Sequence, residues 1–126
     1  MRVKCGVDII EISRVKDSIE NLGDNFLNRV FTKKEIEYCN SKGKSKYERY
    51  AARFAVKEAV FKALSEMVDD KYSITWKDIE TLNDEQGRPK VEVSFVKSNK
   101  IENIDVSISH CKEYAIANVV LLMNDE

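Results

Sequence analysis

One histidine, one proline, four glycines and three cysteines are all that the 126 residues contain of those types. Each scarcity excludes something. A single His beside an odd, widely spaced set of thiols (Cys5, Cys39, Cys111) argues against a zinc site or a disulfide framework, so free thiols are expected. No Ser-His-Asp or Cys-His nucleophile arrangement is readable, because His110 would have to serve it alone. Gly6 is isolated and makes no glycine-rich phosphate loop. The chain shows no linker, internal repeat or low-complexity tract. No apolar run approaches the roughly 20 residues that span a bilayer. Met1-Arg2-Val3-Lys4 leads into a strand-like segment rather than a signal peptide, and the cytosol is the expected compartment.

What is present is ordinary for a globular chain: 43% hydrophobic and 34% charged residues, expected as one domain over residues 1–126. The net charge of −1 is unevenly spread. Between Lys33 and Lys62 nine Lys/Arg stand against four Glu, a local +5. Such a segment steers phosphates, nucleic acid or an acidic protein toward it, and it equally suits a solvated helix face. Aromatics interleaved for base stacking are not evident there, which argues against nucleic acid.

Periodicity gives the element order. Val3, Cys5, Val7 and Ile9 alternate with Lys4, Gly6 and Asp8 as in a half-buried strand, with Asp8 on the face opposite Val7 and Ile9. Ser13 reads as the N-cap of a helix that Gly23 stops, and Asp24 to Phe31 as a short helical link. Thr32-Lys33-Lys34-Glu35 has the form of a capping box, opening a helix that Gly43 ends. Ser45-Lys46-Tyr47-Glu48 repeats the signature and opens the longest helix, from about Lys46 to about Met67. Ile74, Trp76 and Ile79 to Leu82 lead to a turn over Asn83 to Pro89, after which Val91, Val93 and Phe95 alternate. Lys97 to Ile104 reads as a link or short helix. Val106, Ile108 and His110, a turn at Cys111 to Glu113, and an apolar strand from Tyr114 to Leu122 complete the chain. One strand, helices and two hairpins predict an α+β fold, an antiparallel sheet packed against a long helix.

On a wheel of about 100° per residue, Ala52, Ala55, Val56, Ala59 and Ala63 share one face of the long helix. Phe54 and Phe61 fall on the opposite side, so the helix should be buried on both sides, with part of the second layer expected from another subunit. Glu58 and Lys62 flank the alanine face, about 40° apart. A carboxylate beside a lysine at a helix edge suits a divalent metal and a phosphate ester, although Glu before Lys at i,i+4 is also a common surface pair. Asp8 is a second acid, near a strand end beside Glu11. Mg²⁺ takes one or two carboxylates plus phosphates and water, so Asp8 and Glu58 suffice if the fold joins them. His110, at a strand end, fits either phosphate or base contacts, or a hydrogen-bonded core position.

Four segments in order carry a resemblance: Gly6-Val7-Asp8-Ile9-Ile10-Glu11-Ile12-Ser13-Arg14-Val15; Arg53-Phe54-Ala55-Val56-Lys57-Glu58-Ala59-Val60-Phe61-Lys62-Ala63-Leu64; Gly87-Arg88-Pro89; and Ser107-Ile108-Ser109-His110 with Tyr114-Ala115-Ile116-Ala117-Asn118-Val119. Together, over residues 3 to 122, the chain closely resembles the holo-acyl-carrier-protein synthases, the small single-domain phosphopantetheinyl transferases. The resemblance implies transfer of phosphopantetheine from coenzyme A to a serine of apo acyl carrier protein in fatty acid biosynthesis, releasing adenosine 3′,5′-bisphosphate. It implies a homotrimer with active sites between subunits, acting away from membranes and nucleic acid. By motif, Asp8 and Glu58 would hold Mg²⁺ on the diphosphate, and Lys62 would contact the phosphates. Arg53, Gly87, Arg88, Pro89 and His110 would lie along the adenosine and 3′-phosphate end, and Arg14 would receive the acidic carrier. Asp8 and a metal-bound water are both candidate bases for the carrier serine. Two departures from the family pattern stand out: Ser65-Glu66-Met67 replaces a glycine-containing turn, and Cys111 follows His110 where a polar residue is more usual. The competing reading is a non-catalytic homologue that binds coenzyme A or an acidic partner.

Overall fold

The computed structural model describes residues 1–66, 74–94 and 100–124. Strand β1 (Arg2–Glu11) precedes helices α1 (Ile12–Leu22), α2 (Asp24–Val30), α3 (Lys33–Asn40) and α4 (Lys46–Ala63). The hairpin β2 (Ile79–Asn83) and β3 (Pro89–Val93) follows, then the long pair β4 (Ile101–His110) and β5 (Tyr114–Met123). The α+β expectation holds, with the strands in two antiparallel sheets: three strands in the order β1-β5-β4, and the separate β2-β3 pair. Met67, Phe95 and Lys97, named in the sequence reading, lie outside the described residues. The expected link up to Ile104 is already strand from Ile101.

Local signals explain most boundaries. Helix α1 starts at Ile12 with Glu11 as an extended N-cap that makes no side-chain cap, so Ser13 lies inside the helix. It stops where Gly23 takes φ 58°, a conformation glycine adopts at little steric cost. The capping box at α3 forms as expected: Glu35 N donates to Thr32 Oγ1 (3.2 Å) and Thr32 N to Glu35 Oε1 (2.9 Å). The second box does not form. Ser45 stands before α4, but its hydroxyl donates back to Lys42 O (3.1 Å).

Helix α4 is the centre of the molecule and is buried on both sides. Its small residues Ala55, Ala59 and Ala63 pack on Ala117, Val119 and Leu121 of β5. On the other side Phe54 stacks on Trp76 (5.1 Å between centroids) and Phe61 meets the same ring edge-on (5.0 Å). Part of the second layer is thus supplied by the same chain, because the segment bearing Trp76 folds back over the helix and leaves Phe54 and Phe61 partly exposed. Lys57 and Glu35, both fully buried, pair at 2.9 Å beneath it. Lys57 also donates to Trp76 O (2.9 Å) and Ile79 O, and Glu35 Oε2 accepts from Thr81 N (2.9 Å). This charged knot ties the β2-β3 hairpin to α3 and α4. Burial lowers the Lys57 pKa, and the charge of Glu35 opposes that shift.

Strand β1 reverses the inside and outside expected from its sequence. Lys4, Gly6, Asp8 and Ile10 lie on the more buried face, whereas Val3, Val7 and Ile9 are 67%, 52% and 61% exposed. The reason is Gly6. A Cβ there would sit 2.0 Å from the carbonyl oxygen of Ala59 and 3.0 Å from the amide nitrogen of Ala63, so only glycine lets the strand lie directly on the helix backbone. Because strand side chains alternate, contact at Gly6 also turns Asp8 toward α4.

Candidate active site

Asp8 and Glu58 are brought together. Asp8 is two residues beyond the Gly6 contact, and Glu58 lies one residue before Ala59 on the helix that β1 crosses. Lys62, one turn further, reaches across to the strand. Its ammonium donates to Asp8 Oδ1 (3.0 Å) and to Val7 O (3.0 Å). The lysine therefore joins strand and helix rather than serving only as a surface pair within α4. Half-buried, the Glu58 carboxyl is pushed above its ordinary 4.5 by burial first and the negative charge of Asp8 second, with Lys62 opposing. Two carboxylates in repulsion at the β1–α4 crossing form an oxygen donor set that a hard divalent cation would relieve. Among the described residues no three or more His, Cys, Asp and Glu side chains cluster, so any cation here would draw its remaining ligands from substrate and water.

A second constellation lies at the other edge of the three-stranded sheet. A cavity of about 340 Å³ is lined by Arg49 and Arg53 of α4, Gly87 and Pro89 of the hairpin turn, and Ser107 and His110 of β4. His110 is exposed and its Nδ1 lies 3.6 Å from Glu48 Oε2, which disposes of the core-histidine alternative. Gly87 has φ 82°, so the turn depends on glycine. Of the residues expected along a nucleotide, Arg53, Gly87, Pro89 and His110 meet here. Arg88 lies instead along the adjoining groove with Asp84, Lys90 and Asp105. Arg14 is exposed on the first turn of α1.

Tyr38, Glu48, Arg49 and Asn83 also line the cavity and were not singled out from sequence. Arg49 and Glu48 carried a signal, since both belong to the +5 segment. Tyr38 and Asn83 carried none, as a mid-helix tyrosine and a turn-edge asparagine are common everywhere.

The two constellations flank α4 on opposite sides. From Arg53 to Glu58 and Lys62 the helix turns about 140° and 180° and rises roughly 7.5 and 13.5 Å. The acidic site borders β1 and the arginine cavity borders β4, the two outer strands of the sheet.

Residues 4–119 match the family model of the 4′-phosphopantetheinyl transferase superfamily. A holo-[acyl-carrier-protein] synthase from Ruminiclostridium cellulolyticum is 44% identical over 130 residues, covering 99% of this chain and 96% of the relative. The ACPS–CoA complex of Chronobacterium ammoniagenes superposes with a TM-score of 0.81 at 26% identity, over 98% of this chain and 99% of the other. A holo-(acyl-carrier-protein) synthase from Bacillus anthracis in complex with CoA (3′,5′-ADP) gives 0.74 at 36% identity, over 94% of each chain. The strand-borne aspartate, the helix-borne glutamate and lysine, and an almost full-length match agree: the chain belongs to the holo-[acyl-carrier-protein] synthase family of the 4′-phosphopantetheinyl transferase superfamily.

Proposed function

We propose that this chain transfers 4′-phosphopantetheine from coenzyme A to a serine of apo acyl carrier protein, in the cytosol and in the service of fatty acid biosynthesis. The convergence of Asp8, Glu58 and Lys62 at the β1–α4 crossing, in a chain of this family, carries the reading. In the reaction the serine oxygen attacks the pantetheine-linked phosphorus. The bond to the bridging oxygen breaks, the serine proton passes to a base, and adenosine 3′,5′-bisphosphate leaves. Such transfers demand positioning and charge neutralisation more than covalent work from the protein.

Asp8 and Glu58 would hold Mg²⁺, which when bound supplies positive charge at the diphosphate. An ammonium has three donors, and Lys62 uses two of them on Val7 O and Asp8 Oδ1. Its side chain is 54% exposed, leaving the third donor for a phosphate oxygen as charge develops there. Arg53, the Gly87–Pro89 turn and His110 would receive the adenosine and 3′-phosphate end, with Arg88 beside them, and Arg14 the acidic carrier.

Because the two constellations lie at opposite edges of one sheet, a single nucleotide-diphosphate is best served by the acidic site of one copy and the arginine cavity of the next. Such head-to-tail contacts form a ring where the rotation between copies closes. The exposed apolar face of β1 and β5, including Val7, Ile9, Ile116 and Val120, supplies a surface for that contact. The geometry supports active sites between subunits, and the family resemblance implies that the subunits number three: we propose a homotrimer.

The test is to incubate the protein with Mg²⁺, coenzyme A and an apo carrier protein, and to weigh the carrier. The expected result is the mass gain of one phosphopantetheine group, abolished by chelation and lowered on the order of 10²–10³-fold in rate by Glu58→Gln. Binding of coenzyme A without any mass gain would instead identify a non-catalytic homologue.

A further inference from the structure

Arg53 is only 3% exposed, an expensive place for a guanidinium. Among the described residues no carboxylate lies within ion-pair distance of it, and its Nε has no hydrogen-bond acceptor. What holds it is neutral. Nη2 donates to Asn83 Oδ1 at 2.9 Å, and Cζ lies 4.4 Å from the centre of the Tyr38 ring. Asn83 Nδ2 in turn donates to the Tyr38 hydroxyl at 2.8 Å. Three elements (the middle of α4, the end of β2 and the last turns of α3) thus close a triangle around one cation at the wall of the cavity.

We infer that Asn83 and Tyr38 are positioning residues that hold Arg53 in its anion-receiving conformation while leaving its charge uncancelled. An amide oxygen and an aromatic face both attract a guanidinium without neutralising it. A carboxylate in either place would fix the side chain just as well but would consume the charge the pocket needs. Fixing a side chain with this much rotamer freedom before binding removes an ordering cost that the ligand would otherwise meet. The inference rests on the function proposed above, and the anion it concerns is the phosphorylated nucleoside end of coenzyme A.

Calorimetric titration with coenzyme A separates the possibilities, using Asn83→Asp, Asn83→Ala and Tyr38→Phe, alone and with Arg53→Ala. Asn83→Asp keeps an acceptor for Nη2 and turns the contact into an ion pair. Its thermal midpoint should equal or exceed that of the parent, while coenzyme A binds at least tenfold more weakly. Opposite signs for stability and affinity cannot come from a merely structural role. Asn83→Ala and Tyr38→Phe should weaken binding about tenfold and about threefold, with the loss falling on KM for coenzyme A rather than on kcat. In the Arg53→Ala background both effects should shrink below twofold, because the group they act through is gone. Equal losses in both backgrounds, or unchanged affinity in Asn83→Asp, would overturn the inference and leave the proposed function standing. A parent protein that takes up no coenzyme A would overturn both.

Discussion

Glu58 works against the stability of the chain that carries it. Burial and the charge of Asp8 raise its pKa above the ordinary 4.5, so the folded state holds that proton more tightly than the unfolded chain does. For a carboxyl shifted in this direction the contribution to stability is full below 4.5 and is lost as pH rises through the folded-state pKa. At pH 7, therefore, the ionised side chain destabilises the ligand-free fold. Glu58→Gln should melt above the parent at pH 7, with the gain vanishing below about pH 4.5 as the parent becomes protonated in both states. A midpoint equal to or below that of the parent at pH 7 would contradict this. Together with the loss of transfer rate, the outcome would be a stability–activity exchange at one residue.

Between elements, the decisive contact is β1 on α4. The backbone of Gly6 touches the helix at Ala59 and Ala63, and the same crossing brings Asp8 to Glu58 and Lys62. An added methyl has no flexible neighbour to push aside, since the atoms it meets are backbone. Gly6→Ala should cost about 1–3 kcal/mol through overpacking. It should also lower transfer activity by more than its stability loss explains, because lifting β1 displaces Asp8 from Lys62. Denaturant melts and initial rates on the same preparation check this; a normal rate per folded molecule would show that the site tolerates the shift. The hairpin is held in a different way, through the buried Lys57–Glu35 pair rather than through apolar contact alone. Removing one member of such a pair leaves an uncompensated buried charge.

At the scale of the whole molecule, the sheet turns apolar side chains outward. Val3, Val7 and Ile9 on β1 stand beside Ile116 and Val120 on β5, with Ile9 opposite Ile116 and Cys5 opposite Val120. If this face joins copies in the proposed trimer, Ile9→Lys should reduce the solution mass toward the 14.5 kDa of one chain and abolish most transfer activity. Thiol labelling gives an independent readout. Cys5 lies on the same face and should react faster in Ile9→Lys than in the parent at micromolar concentration. Cys39 should stay inert in both, since it is buried and burial pushes its thiol up to about 12, with the charge of Arg53 opposing. Unchanged mass and unchanged Cys5 reactivity would sink the proposed interface.

Much of this was legible in the residues alone. The α+β order, the Thr32–Glu35 capping box, the long helix and its alanine stripe follow from patterns only a few residues long, set by local hydrogen bonding and by the 3.6 and 2.0 periods of helix and strand. The motif around Glu58 and Lys62 was legible for the same reason. Tertiary structure decided what depends on the partner of each face. Alternation in β1 says that two faces differ, but the close approach at Gly6 selects which one meets α4. Likewise, Arg53 acquires Asn83 from 30 residues away and Tyr38 from a different helix, with Asn83 and Tyr38 themselves 45 residues apart, a proximity that no local pattern encodes.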